Sequence, residues 1–170
     1  MTESTTAKDL LTPAASRPVI PGYGVPEGDE GLLSWEHVTQ RLTDAKNVWV
    51  STASADGQPH AVPVWAILID GTLYFSVGPR SARNIAANPK VNVHSEDGSD
   101  VFIIEGTASI LRNPSSELSK AMDDAFAAKY DFRPSSEGTD AVGEGFFTLH
   151  PTVAYAWTAF PTDATRWTFA

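Results

Sequence analysis

A chain of 170 residues with 42% hydrophobic side chains suits one domain with a real core. Its 12 basic and 21 acidic residues leave a net charge of −9, which repels nucleic acid and anionic membranes and makes neither an expected partner. The absence of cysteine excludes disulfides, thiolate nucleophiles and cysteine-based metal sites.

Residues 1–31 are rich in Thr, Ser, Pro, Gly and Glu. Such a composition buries too little apolar surface to offset its ordering entropy. It predicts a flexible N-terminal arm, ending in a strap that carries Val19, Ile20, Tyr23 and Val25. Residues 32–170 are then the folded domain. The first residues lack a basic start followed by an apolar stretch, so no export signal is expected and the expected compartment is the cytoplasm. No apolar run reaches the roughly 18 residues of a membrane span. Ser34 predicts the cap of a short helix carrying Trp35, Val38 and Leu42 and ending near Lys46.

The period then changes. Asn47 to Ser54 is β-branched and aromatic, and Asp56-Gly57 is a hairpin signal. A second strand is expected from Pro59 to Ile69, and Asp70-Gly71 turns into a third from Thr72 to Val77. No helix separates these strands, so the sheet is antiparallel. Gly78-Pro79 breaks the third strand, and Arg80 to Ala87 predicts a short helix with Ser81 available as its cap. Val91 to Ser95 and Asp100 to Leu111 read as strands, with Gly106 marking a bulge or a close approach. Asn113-Pro114 predicts a helix start, with Leu118, Met122, Ala125, Phe126 and Tyr130 on the apolar stripe. Residues 131–145 read as a polar loop. Phe146 to Leu149, Val153 to Thr158 and Thr165 to Phe169 close the chain as strands. The fold expected is mainly β (α+β): an antiparallel split β-barrel of six to eight strands with short peripheral helices.

Two stretches could carry chemistry. The first is Gly78 to Asn88, where Arg80, Ser81, Arg83 and Asn84 fall in the opening turns of a helix. A helix start offers unpaired N–H groups and partial positive charge, so guanidinium groups and a hydroxyl there make a phosphate cradle. An ordinary capped surface helix has the same residues. The second is Pro59 to Trp65. Pro63 cannot donate a ladder hydrogen bond, so this strand belongs at an edge or irregularity. A planar heteroaromatic ring could satisfy the neighbouring backbone groups; so could water. His37, His60, His94 and His150 show no metal-ligand spacing, and only His60 falls near the expected ring. Glu105, in a strand that reads as buried, could serve as an acid or as a hydrogen-bonded structural carboxylate, and the second reading is preferred. No acid–base constellation and no nucleophile, nucleotide or dinucleotide fingerprint stands out.

Taken together, these pieces resemble the split-barrel family related to pyridoxamine 5′-phosphate oxidase. The matching segments are Thr52, Asp56-Gly57-x-Pro59, Val62-Pro63-Val64-Trp65, Leu73-Tyr74-Phe75-Ser76, Arg83-Asn84-Ile85 with Asn88-Pro89, Val91-x-Val93-His94, Glu105-Gly106-Thr107-Ala108 and Ala164-Thr165-Arg166-Trp167-x-Phe169. The resemblance spans residues 32–169. It implies a homodimer with two equivalent cofactor sites at the interface, FMN or the deazaflavin coenzyme F-420 as cofactor, and hydride transfer involving a small-molecule substrate. It implies that backbone groups of Val62, Pro63, Val64 and Trp65 face the ring. It places Ser76, Arg80, Ser81, Arg83 and Asn84 at the ribityl-phosphate end, with Arg166 and Trp167 closing the pocket. Many relatives carry Lys where this chain has Ser81, and Arg80 is the candidate replacement. The scarcity of basic residues favours FMN over F-420. The substrate-binding C-terminal motif of true pyridoxamine-phosphate oxidases has no match, so that activity is not expected. The rival reading is a non-catalytic flavin- or haem-binding protein on the same scaffold.

Overall fold

The computed structural model describes residues 13–137 and 145–170. β2 (Val48–Ala53) and β3 (Pro59–Val64) form the first hairpin, turning through Gly57 at φ 87°. β2 alternates buried Val48, Val50 and Thr52 with half-buried neighbours, as a strand with one face on the core must. Trp65 interrupts the second strand, and β4 (Ala66–Ile69) continues from it. Asp70 and Gly71 both take left-handed φ values, 48° and 76°, the pair that a tight hairpin turn requires. They lead into β5 (Thr72–Ser76).

β6 (Lys90–His94) pairs with β2 and with β7 (Val101–Ile110), and β7 pairs with β8 (Phe146–Trp157). The first residues of β8 also pair with β5. β3 and β4 are covalently continuous, so the circuit β2–β3–β4–β5–β8–β7–β6 closes on β2. The barrel is closed by a kinked strand rather than by a ladder, which is the split. β9 (Thr165–Thr168) and β1 (Ala14–Ser16) extend the sheet beyond β8. All pairings are antiparallel, as expected.

Among the described residues nine strands stand, where the sequence predicts six to eight. The Pro59–Ile69 strand divides at Trp65, the segments either side of His150-Pro151 join into β8, and β1 is additional. β1 belongs to the segment read as an arm. Within residues 13–31, Ala14–Ser16 pairs with β9, and the Arg17 guanidinium donates to the carbonyls of Gly28, Glu30, Thr162 and Ala164. Four backbone acceptors on one planar cation supply an ordering that composition does not reveal. Residues 1–12, and 138–144 of the polar loop, lie outside the described residues.

The register of β7 against β8 shifts between Glu105 and Gly106, leaving Thr152 opposite no partner. A Cβ on Gly106 would sit 2.1 Å from the His150 carbonyl oxygen. Both the bulge and the close approach expected at this glycine are present. Glu105 is exposed rather than buried, because it alternates with buried Ile104 and Gly106.

Among the described residues three α-helices pack around the barrel. α1 (Trp35–Asp44) is capped by the Ser34 hydroxyl, which accepts from the His37 N–H, and buries Val38 and Leu42. α2 (Pro79–Ala87) starts from Gly78 with Pro79 in its first turn. Ser81 does not cap it; its side chain is buried inside the first turn. α3 (Ser116–Tyr130) is capped by Ser115, whose hydroxyl accepts from the Leu118 N–H at 3.1 Å. Asn113, the expected cap, instead takes φ 48° and turns the chain out of β7. The barrel core gathers Val50, Phe75, Val93, Phe102, Ile104, Ala154 and Trp167. A second cluster beneath α3 holds Ile67, Tyr74, Met122, Phe126 and Phe146. Among the described residues no helix is long and apolar enough to cross a membrane.

Candidate functional site

The kink at Trp65 and the break at Gly78-Pro79 face each other. Between them runs a groove of about 400 Å³, lined by His60, Val62–Trp65 on one side and Ser76–Ser81 on the other. The β3 wall has an open edge, since β3 pairs only with β2. Backbone groups on that edge have no sheet neighbour, and Pro63 contributes no N–H.

The opposite wall is the start of α2. Gly78 provides no side-chain cap, and Pro79 has no N–H. The first amide used within the helix is that of Ala82, which donates to the Gly78 carbonyl at 3.0 Å. The first turn therefore presents the amides of Arg80 and Ser81 beside the Arg80 guanidinium. That combination attracts an anion. Among the lining residues Arg80 is the one permanent cation.

Of the residues singled out from sequence, the structure brings together Val62, Pro63, Val64, Trp65, Ser76, Arg80 and Ser81. Asn84 lies behind the groove. Its Nδ2 donates to Thr52 Oγ1 at 2.9 Å, fastening α2 to β2. Arg83 is exposed on α2 and does not line the groove. Arg166 and Trp167 are elsewhere in the chain. Trp167, 1% exposed, packs edge-on against Trp35 in the core. Arg166 pairs with Tyr155 in the β8–β9 ladder, on the opposite sheet face from Trp167.

Two features escaped sequence reasoning. Trp65 is stacked on Tyr130 of α3, with ring centroids 4.5 Å apart and planes 8° apart. The contact spans 65 positions, and the only local signal was a tyrosine ending the apolar stripe. The second is the outer face of the barrel. Trp49 stacks on His94 there, next to Ile103 and Tyr155 across the ladders, and the buried Asn92 Oδ1 has no hydrogen-bond partner among the described residues. Among the described residues no group of three His, Asp or Glu side chains gathers to hold a metal ion.

Comparison with known proteins agrees with this architecture. The heme storage protein HutZ of Vibrio cholerae superposes with a TM-score of 0.52 at 17% identity, covering 68% of this chain and 88% of that one. ChuZ of Campylobacter jejuni gives 0.63 at 15% identity, covering 86% of this chain and 65% of that one. General stress protein 26 of Bacillus anthracis gives 0.52 at 21% identity, covering 71% and 91%. At these identities the likeness is one of fold. No match appears among curated protein sequences. The family model described as pyridoxamine 5′-phosphate oxidase matches residues 34–158, from the cap of α1 to the end of β8, and the chain belongs to that family.

Proposed function

We propose that the groove holds a flavin-type cofactor and that the protein is a flavin- or deazaflavin-dependent oxidoreductase acting on a small organic substrate. One observation supports this most: a strand edge without ladder partners faces the uncapped, cationic start of a helix across a single groove. A flavin has the matching asymmetry, a planar ring with hydrogen-bonding edges and an anionic tail. The Val62–Trp65 backbone orients the ring edge. Arg80 and the amides of α2 hold the phosphate. Val62, Val64 and Trp65 exclude water from the ring. Asn84 acts indirectly by fixing α2 on β2, and Arg83 adds to the field at the helix start. When bound, the cofactor supplies the hydride chemistry. One permanent cation favours FMN over the longer anionic tail of coenzyme F-420. Pyridoxamine phosphate itself is not the proposed substrate.

The working unit is a homodimer in the cytoplasm. A second copy would cover the aromatic outer face and give Asn92 Oδ1 a partner. Arg166 stands on the same face, so it reaches a site only across that interface.

Paired titrations with FMN and riboflavin test the reading. FMN should bind more tightly. Arg80→Ala should weaken FMN by about ten- to a hundredfold and leave riboflavin nearly unchanged, because one charge-assisted phosphate contact contributes roughly 1.5–3 kcal/mol. Equal losses for both ligands would assign Arg80 to the ring or the fold. No binding of either would remove the flavin. A second reading, haem storage, draws on His60, an imidazole lining the same groove. It predicts a Soret band on adding hemin that His60→Ala abolishes.

A further inference from the structure

The kink that forms the groove is fastened from outside the barrel. Val64 is the last residue of β3 to pair with β2, and Ala66 is the first of β4 to pair with β5. At this change of partners the backbone of Ala66 bonds to α3. The Tyr130 hydroxyl accepts from the Ala66 N–H at 2.9 Å and donates to the Ala66 carbonyl at 2.9 Å. Lys129 Nζ donates to the same carbonyl at 2.8 Å and to the Leu42 carbonyl of α1 at 3.0 Å. The joint is thus tied to α3 by its own backbone groups, and Lys129 links it onward to α1.

The ring adjacent to that joint is held as well. Trp65 lies flat on Tyr130, and its edge rests on Phe132 at 5.9 Å. Tyr130 is backed by buried Phe126 at 5.6 Å, and Phe126 by Phe146 at 5.4 Å. An aromatic column therefore runs from the second core cluster to the groove and ends in Trp65. One face of Trp65 is spent on Tyr130. The residue is still 39% exposed, and it lines the groove.

We propose that Tyr130 is a positioning residue for a planar ligand ring: it presents the free face of Trp65 as a wall of the groove, with Lys129 as the second fastening of the same kink. The identity of the ring rests on the proposed flavin reading. The placement of Trp65 by Tyr130 does not.

The test uses the whole chain with its five tryptophans replaced by 5-fluorotryptophan. The Trp65 resonance is identified by its absence in Trp65→Phe. Without ligand, Tyr130→Phe should leave that resonance nearly in place, because the stack survives. Tyr130→Leu should shift and broaden it. In titrations, Tyr130→Leu should weaken FMN and riboflavin alike by about tenfold, and Tyr130→Phe by no more than about threefold, since an aromatic pair of this kind accounts for roughly that factor. A folded Tyr130→Leu protein whose Trp65 resonance is unmoved, or whose flavin affinity is that of wild type, overturns the proposal. If Tyr130→Leu does not fold, Tyr130→Gln takes its place, since its amide can still bond to Ala66 while the ring stack is lost. It must move the resonance; an unmoved resonance is again fatal. If wild type binds neither flavin, the cofactor reading fails, and the ligand-free resonance still decides the role of Tyr130.

Discussion

The β7–β8 ladder and the β3–β4 segment belong to one barrel and serve opposite ends. β7 is paired along its whole length with β8, from Val101–Trp157 to Ile110–Phe147, with one register shift. β3–β4 has its ladder cut at Trp65, keeps one edge open and borrows a helix to hold its joint. The continuous ladder satisfies its backbone internally and leaves nothing for a ligand. The broken one leaves backbone groups to be satisfied from elsewhere, and a groove forms there. In this barrel the site is located by where pairing fails.

Gly106→Ala breaks the intact region and carries the largest expected effect. The added Cβ would meet the His150 carbonyl oxygen at 2.1 Å and the Pro151 Cα at 2.8 Å. Both obstacles are backbone, so neither can rotate aside. A loss of more than about 3 kcal/mol is expected, or failure to fold. Urea denaturation reads it directly. A wild-type midpoint would mean that the bulge is soft and the contrast between the two regions is not one of rigidity.

The open region should respond in affinity instead of stability. Arg80 lines the groove and Arg83 does not. Arg83→Ala should therefore weaken FMN by no more than about threefold, against ten- to a hundredfold for Arg80→Ala. Both should keep the wild-type urea midpoint, as exposed charges near a helix start contribute little to stability. Matching losses from the two variants would place the anion along α2 rather than at its first turn.

What the sequence disclosed follows the same division. The regular parts announce themselves locally. Asp70-Gly71 needs two left-handed residues and so reads as a turn. Gly106 stands in an otherwise side-chain-rich strand and so reads as a close approach. Val62–Trp65 and Gly78–Ser81 were legible as a pair of irregularities, and they do face one groove. The failures are long-range or ignore alternation. Ala14–Ser16 has no pattern of its own; it is a strand because β9 offers an edge. Adjacent strand residues point to opposite faces, so Arg166 and Trp167 could never line one pocket of the same chain. That signal was in the sequence. The role of Tyr130 was not, because its partner lies 65 positions away.

The support under the kink can be sharpened at the other end of α3. Asn113 was the expected cap, but it is Ser115 that holds the Leu118 N–H. Ser115→Ala should cost about 1 kcal/mol. Asn113→Gly should be neutral or slightly stabilising, because glycine takes the left-handed φ without strain. Paired urea midpoints decide it. The reverse order would return the helix start to Asn113.

The smallest expected effect is a slope with pH. Burial pushes Lys129 down to about 8 from 10.5, and Asp44 of α1 pulls it partly back. The two carbonyls it donates to also favour the ammonium. Between about pH 8 and 10.5 the unfolded chain therefore holds a proton on this lysine that the folded chain has released. Stability rises with pH wherever the unfolded state binds more protons, so the cost of burying the ammonium, present below pH 8, is relieved as pH rises through that value. The effect is small because the side chain remains partly solvated, and a neutral amine keeps hydrogens enough for both carbonyls. Burial pushes the Tyr130 hydroxyl up, away from the pH values compared here, so its bonds to Ala66 do not change between them. The check is the difference in urea midpoint between wild type and Lys129→Met at pH 7.5 and at pH 9.5. Wild type should gain on the variant at the higher pH. A wild type that instead loses ground to the variant at the higher pH would mean that the ammonium is the better fastening of the kink, and that α3 grips β4 through charge rather than through the Tyr130 ring.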